Sequence, residues 1–315
     1  MAESARWLCH RQTSAGVEPG AWIERCRVVS EISLPHRTEH SENFPVASRL
    51  IAERHRATIL AFYRFVRAAD DIADDPSLSP EAKLSGLDRM AATLKGERDD
   101  APSGIALRAT LAARKLALRH PLDLLAAFRL DVTKLRYRDW GELMDYCALS
   151  AMPVGRFVLD VHGESAALWP ASDAICASLQ VINHLQDCAE DFVKLDRVYL
   201  PQETLESCGA TIADLSAPRA SPPLCEAIGK LARRSQALLD QGAGLPAGVA
   251  DFRLACEIGA IQRLARANCA RLRRRDPLSQ RVHPTKPGFI ALGLLGALEG
   301  AVARVMGPAK RGGAG

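Results

Sequence analysis

The sequence predicts an all-α protein, and three observations carry that prediction. Hydrophobic residues make up 48% of the 315-residue chain and aromatics only 5%. Ala and Leu dominate and β-branched runs are scarce, which is the composition of helices rather than sheets. Apolar residues recur at helical spacing, as in Leu84, Leu87, Met90 and Leu94. No Pro- or Gly-rich hinge is long enough to split the chain, so it reads as one helical domain whose short loops imply mainly antiparallel neighbours.

Residues 1–40 mix Arg6, His10, Arg11, Arg25 and Arg27 with Glu3, Glu18, Glu24 and Glu31 and hold no sustained period, so they read as a poorly ordered extension. A transit peptide would carry fewer acids, and the start lacks the apolar core of a signal peptide. Ordered structure begins at Ser41-Glu-Asn-Phe-Pro-Val-Ala, with helices expected over 46–53 and 55–75, the second closed by Pro76. Pro80 opens an amphipathic helix that runs to Gly96. After a polar loop, a helix fits 104–119, and Pro121 opens another through Arg136 with Leu124, Leu125, Phe128, Val132 and Leu135 inward. Residues 139–162 read as one helix bent near Pro153-Val-Gly155. Trp169-Pro170 is a break, followed by a long helix over 172–193. A short helix suits 202–215, and further helices fit 224–241, 247–275 and 287–306, with 307–315 a flexible tail. The stretch 288–306 is the most apolar, but Glu299 and Arg304 interrupt it before the roughly 18–20 residues of a membrane span. It reads as a buried core helix, with a helix resting on a bilayer surface as the alternative.

The net charge of +4 is mild for this length and gives no argument for nucleic acid. The nine cysteines are odd in number, scattered and without a Cys-x-x-Cys, which fits reduced thiols in the cytoplasm rather than disulfides or zinc.

Chemistry gathers in two stripes. Tyr63, Arg67, Asp70 or Asp71, and Asp74 follow at steps of three or four and share one helix face. Asp70 and Asp74 are i,i+4 neighbours and repel each other unless a cation lies between them. Asn183, Asp187 and Asp191 repeat the pattern at i, i+4, i+8. Either cluster alone reads as a solvated face. Two of them, each in an otherwise apolar helix, point to facing stripes that hold Mg²⁺ on a diphosphate. Mg²⁺ takes oxygen ligands and is typically held by one or two carboxylates plus substrate phosphate oxygens. Arg67 would add a bidentate guanidinium to the phosphate. Tyr63 alone fits a core tyrosine, and His184, one position off the stripe, reads as structural. The run Arg271, Arg273, Arg274, Arg275 reads as a solvated helix end, with diphosphate contact beside Lys286 as the alternative.

Taken together, Tyr63-x-x-x-Arg67-x-x-Asp70-Asp71-x-x-Asp74, Asn183-x-x-x-Asp187-x-x-x-Asp191 and Arg197-x-Tyr199-x-Pro201 resemble the squalene/phytoene synthase family, collinearly from about Ser41 to Met306. The segment from Tyr146 to Arg156 is similar to that family's central helix. Glu42-Asn-Phe-Pro-Val-Ala-Ser48 and the doubled Asp-Asp of residues 68–75 resemble its branch of bacterial hydroxysqualene synthases in hopanoid biosynthesis. The resemblance implies an isoprenoid-synthase-type bundle around a central cavity, spanning 41–306. It implies that Asp70, Asp71, Asp74, Asn183, Asp187 and Asp191 form the Mg²⁺–diphosphate set. Arg67 and Arg197 would contact diphosphate, and Tyr63, Tyr146 and Tyr199 would line the reaction centre. Phe62, Leu149, Phe157 and the helix over 289–298 would supply apolar walls. One departure is Ala148, where the family often has an aromatic two positions after the tyrosine.

In this branch the substrate would be presqualene diphosphate, handed over by a presqualene diphosphate synthase, with water as co-substrate and Mg²⁺ as cofactor. No nicotinamide is implied, and no Gly-rich dinucleotide loop occurs in the sequence. The alternatives are another head-to-head prenyl synthase (presqualene diphosphate, squalene or phytoene synthase) or a non-catalytic helical scaffold. The expected location is the cytoplasm, with peripheral membrane association because long apolar substrates partition into bilayers.

Overall fold

The structure is a computed structural model and describes residues 51–307. The expected extension over 1–40, most of the expected helix over 46–53 and the tail after Gly307 lie outside the described residues. Among the described residues there is no strand, only an isolated parallel bridge between Arg136 and Val198. The helices are α1 (Glu53–Asp74), α2 (Pro80–Lys95), α3 (Pro102–Arg114), α4 (Arg119–Thr133), α5 (Trp140–Ser150), α6 (Met152–His162), α7 (Trp169–Gln186), α8 (Cys188–Leu195), α9 (Gln202–Cys208), α10 (Pro222–Gln241), α11 (Leu245–Gly248), α12 (Phe252–Leu272) and α13 (Lys286–Met306).

Local chemistry sets most boundaries. α1 stops at Asp75, whose extended backbone (φ −63, ψ 111) is what a residue before proline prefers. Ser79 caps α2 by accepting from the Ala82 amide, and Gly96 ends it at φ 85, a left-handed turn that only glycine enters at no steric cost.

The helix expected over 104–119 stops at Arg114, the one over 202–215 stops at Gly209 (φ 75), and the one over 247–275 divides at Val249 (ψ 148) into α11 and α12. Four further expectations need correction. Residues 139–162 form two helices, because Pro153 brings no N–H and its ring excludes a carbonyl four residues back. The chain therefore breaks at Ala151 (φ −127, ψ −46) and restarts with Pro153 in the first turn of α6, where the missing donor costs nothing. Pro170 plays the same part in α7, which begins at Trp169 rather than Ser172. The helix expected over 172–193 is interrupted at Asp187 (φ −103, ψ 7) and continues as α8. The helix expected to be buried, α13, is mostly outside the core: Ile290, Leu294 and Leu298 are 60%, 69% and 61% exposed. Its seam against α12 is made of Gly259, Gly296 and Gly300, where a Cβ would strike the facing backbone. Glycines let the two backbones touch, and that contact turns the large side chains of α13 outward.

Two apolar clusters hold the molecule. One joins α1 to α2, α3 and α4 through Phe65, Leu87, Leu94, Leu107, Leu111 and Leu124. The other joins α7 to α10 and α12 through Val181, Ile182, Leu185, Ile228, Leu231 and Ala265. Each fully buried Leu contributes roughly 1.5–3 kcal/mol. α4 and α6 feed both clusters, with Leu124 and Phe157 on one side and Ala127 and Leu159 on the other. The first acidic stripe thus belongs to one cluster, the second to the other, and α4 runs between them.

Candidate active site

Arg67 organises the first stripe. Its Nη1 donates to Asp70 at 2.8 Å and its Nη2 to Asp71 at 2.6 Å. Tyr63, one turn earlier, lies close enough to act on the same guanidinium. Asp74 accepts from Arg197 Nη1 at 2.6 Å. Burial, followed by the charge of Asp74 and more weakly those of Asp131 and Asp71, pushes the Asp70 carboxyl up to about 7. Several anions crowd here with two guanidiniums between them.

The second stripe survives its helix break. The Asp187 amide still donates to Asn183 O at 2.9 Å, and the Asp191 amide to Asp187 O at 2.8 Å. The four-residue register therefore crosses from α7 into α8 unshifted. α8 then ends at Asp196 in a left-handed cap (φ 51), a conformation Asp tolerates better than most residues. That cap lets the Arg197 amide bond Asp191 O at 3.2 Å and turns the chain back toward α4. The returning segment is fixed by Val198 N to Leu135 O (3.0 Å) and Gln202 N to Tyr137 O (2.9 Å).

The two stripes are joined through that return. Arg197 is buried, and it donates to Asp74 of the first stripe and to the backbone oxygens of Asp131 (2.9 Å) and Ala73 (3.3 Å). Its own amide is tied to the second stripe. Its guanidinium thus holds Asp74 in place and has protein partners on all three nitrogens. Asp131 sits beside it and accepts Tyr146 OH at 2.9 Å and Tyr199 OH at 2.7 Å. Burial pushes this carboxyl up to about 6 against the opposing pull of Arg197 and the two phenols. Tyr199 stacks on His184 with ring centroids 3.6 Å apart, and Tyr137 and Tyr146 complete a four-ring cluster. Burial drives His184 down to about 3, so its ring is neutral and presents a π face rather than a charge. His184 also reaches toward Asp191 at 4.0 Å.

Sequence reasoning missed Asp131 and Tyr137. The available signal was an acid three residues after Phe128 and seven after Leu124, on the face read as inward. A further approach comes from His283, before α13, which feels the charge of Asp187. Of the expected apolar walls, Phe62 and Phe157 stack at 3.9 Å and are buried, and Leu149 packs on the second cluster. Residues 289–298 do not join them, since that face of α13 points outward.

A separate trio, His55, His162 and Asp251, brings potential ligand atoms within 4.8 Å of one another. Arg54 Nε lies 3.0 Å from His55 Nε2, and Arg114 Nη2 lies 3.1 Å from its Nδ1. Two cationic donors on that ring oppose a metal ion, and imidazole is foreign to Mg²⁺. The two stripes instead offer five carboxylates and one amide oxygen, the donor type Mg²⁺ selects. Asp70, raised first by burial and next by the charge of Asp74, shares its helix with Asp71 and Asp74, and this oxygen-donor set fits Mg²⁺.

A family model described as squalene/phytoene synthase matches residues 37–287. The chain belongs to the squalene/phytoene synthase family. It is 50% identical over 268 residues to the hydroxysqualene synthase of Rhodopseudomonas palustris, covering 85% of this chain and 91% of that protein. It is 51% identical over 263 residues to the hydroxysqualene synthase of Sinorhizobium fredii, covering 84% and 90%. The solved squalene synthase HpnC of Alicyclobacillus acidocaldarius superposes with a TM-score of 0.66 at 35% identity, covering 80% of this chain and 92% of that one. A dehydrosqualene synthase superposes with a TM-score of 0.72 over 90% of this chain at 18% identity, a likeness of fold alone. The chain is thus a close relative of bacterial hydroxysqualene synthases with the all-helical fold of isoprenoid synthases.

Proposed function

We propose that this protein is a Mg²⁺-dependent hydroxysqualene synthase, converting presqualene diphosphate and water to hydroxysqualene and diphosphate. The observation that carries the chemistry is the join between the stripes: Arg197 ties Asp74 to the segment leaving Asp191, and Asp131 collects Tyr146 and Tyr199 beside it. Half-identity to relatives named hydroxysqualene synthase supports the choice of reaction within the family.

In this reading Asp70, Asp71, Asp74, Asn183, Asp187 and Asp191 would hold Mg²⁺, whose positive charge would stabilise a diphosphate leaving group. Arg67, partly exposed between Asp70 and Asp71, exchanges a carboxylate for a diphosphate oxygen. Arg197 acts through Asp74 and keeps it aimed. As the C–O bond breaks, positive charge develops on the cyclopropylcarbinyl carbon. The faces of Tyr146, Tyr199 and neutral His184 offer negative quadrupole to that charge. Phe62 and Phe157 keep bulk water away. After ring rearrangement, water bonds to the cation and releases one proton. Asp131, held near 6, is matched to accept it through a phenol.

Incubating the purified protein with presqualene diphosphate and Mg²⁺ in ¹⁸O-labelled water, with and without a nicotinamide, tests the reaction. The expected product is a labelled alcohol whose yield ignores the nicotinamide. Consumption of farnesyl diphosphate alone, or an unlabelled hydrocarbon, would replace this reading with that of another head-to-head prenyl synthase.

The Asp70 carboxyl also sets a pH dependence for Mg²⁺. Its value near 7 lies above the ordinary 3.8, so at pH 6 it mostly carries a proton. Mg²⁺ must displace that proton, and its affinity falls as pH drops through 7. The rise in Tm on adding Mg²⁺ is expected to be larger at pH 8 than at pH 6, and Asp70→Asn should abolish the difference. Equal shifts at both pH values in the unmodified protein would remove Asp70 from the metal set.

A further inference from the structure

We propose that α13 and the arginine-rich end of α12 form a lipid-binding face that lies flat on an anionic bilayer. This goes beyond the reaction proposed above and does not depend on which prenyl diphosphate is consumed.

The apolar part of the face is a stripe. Ile290, Leu294 and Leu298 follow at four-residue steps, and Val302, Val305 and Met306 continue it at 46%, 74% and 80% exposed. Over its most apolar 18 residues only 11% of α13 is buried. Nothing in the described fold covers this surface, which exceeds the scattered single hydrophobics of an ordinary exterior.

The charge at one end says what covers it. Because α12 and α13 run antiparallel through the Gly259, Gly296 and Gly300 seam, the C-terminal end of α12 lies beside the start of the stripe. That end carries Arg271, Arg273, Arg274 and Arg275, none of which makes an ion pair among the described residues. Arg271, Arg274 and Arg275 line an open pocket of about 320 Å³ floored by Ala267 and Ala270. Burial, and after it the like charge of Arg275, lowers the pKa of Arg271. A surface with exposed leucines beside clustered guanidiniums is complementary to acyl chains beside lipid phosphates.

The other occupants fit less well. In a two-fold dimer on this stripe, each arginine cluster would face the far end of the partner helix. That helix holds one acid, Glu299, already paired with Arg263 at 3.1 Å, and it ends near Arg304. Like charges would meet without relief. A membrane span is long enough in residues, since 21 residues rise about 32 Å. It would, however, drag Arg263 and Arg266 of the tightly packed α12 into hydrocarbon. Lying in the interface satisfies both helices.

The test is flotation of the full chain with phosphatidylcholine vesicles and with vesicles containing 30% phosphatidylglycerol, at low and high salt. Leu294→Glu/Leu298→Glu and Arg274→Glu/Arg275→Glu serve as variants, both at exposed positions, with circular dichroism melts verifying folding. The unmodified protein is expected to partition at least tenfold more strongly onto the anionic vesicles, and salt should erase that preference. The leucine variant should lose binding to both vesicles. The arginine variant should lose only the anionic preference, about fivefold at low salt for each unit of positive charge removed. Diphosphate release from detergent-dispersed substrate should persist in both variants, which separates this proposal from the enzymatic reading. Absence of flotation with anionic vesicles would overturn it. So would a dimer in light scattering that Leu294→Glu/Leu298→Glu dissolves, because the occupant would then be a second copy.

Discussion

Asp71→Asn is expected to lower the rate of diphosphate release by about three orders of magnitude, some 4 kcal/mol of transition-state stabilisation, while Tm stays within about 2 °C. The two halves of this prediction come from different facts. The Asp71 side chain is 42% exposed and its one strong partner is Arg67 Nη2. Asn keeps a carbonyl oxygen for that bond, and substitutions at such surface positions usually fall within about 0.5 kcal/mol. What Asn lacks is the negative charge that a divalent ion requires. Single-turnover release from presqualene diphosphate, followed beside a thermal melt, separates the two readouts. Full activity in the folded variant would remove the first stripe from the chemistry and leave α1 a solvated acidic helix.

How much was legible in the chain follows from the reach of each interaction. α1 could be read outright, because Arg67, Asp70, Asp71 and Asp74 lie within two turns and Pro76 ends the helix by local sterics. The spacing of Asn183, Asp187 and Asp191 was equally plain, but the break at Asp187 was not, since neither Pro nor Gly marks it. Its backbone carbonyl and amide keep the four-residue bonds, so the spacing argument held across a helix end it could not see. Asp131 was hidden for the opposite reason. Its partners Tyr146 and Tyr199 are 15 and 68 residues away, and alone it is one acid in an apolar helix. α13 misled because composition reports how apolar a helix is, not which face it buries. Gly296 and Gly300 made that choice by permitting backbone contact with α12.

The second large effect is expected at Asp131, where two substitutions separate hydrogen bonding from charge. Asp131→Leu removes the acceptor for both Tyr146 OH and Tyr199 OH and leaves two buried donors unpaired. At about 1–3 kcal/mol each, the loss is roughly 2–6 kcal/mol, seen as a Tm lowered by roughly 4–20 °C for a domain of this size. Asp131→Asn behaves differently. It retains one acceptor oxygen, and it relieves a carboxylate whose charge the fold already disfavours, as its rise to about 6 from the ordinary 3.8 records. The sign follows from linkage. A carboxyl raised in the folded state lowers stability above pH 6, and that cost fades as pH falls from 6 toward 4. At pH 8 the gain from removing the charge offsets much of the lost bond, so Asn should melt within a few degrees of the unmodified protein. It should also flatten the stability profile between pH 4 and 6. Turnover should nonetheless fall by about two orders of magnitude, because an amide neither accepts the proton that water must release nor balances Arg197. Thermal melts from pH 4 to 8, read beside product formation, check both variants. An Asn variant that melts as low as Leu would mean the Asp131 charge stabilises the fold, and an active one would mean the proton leaves by another route.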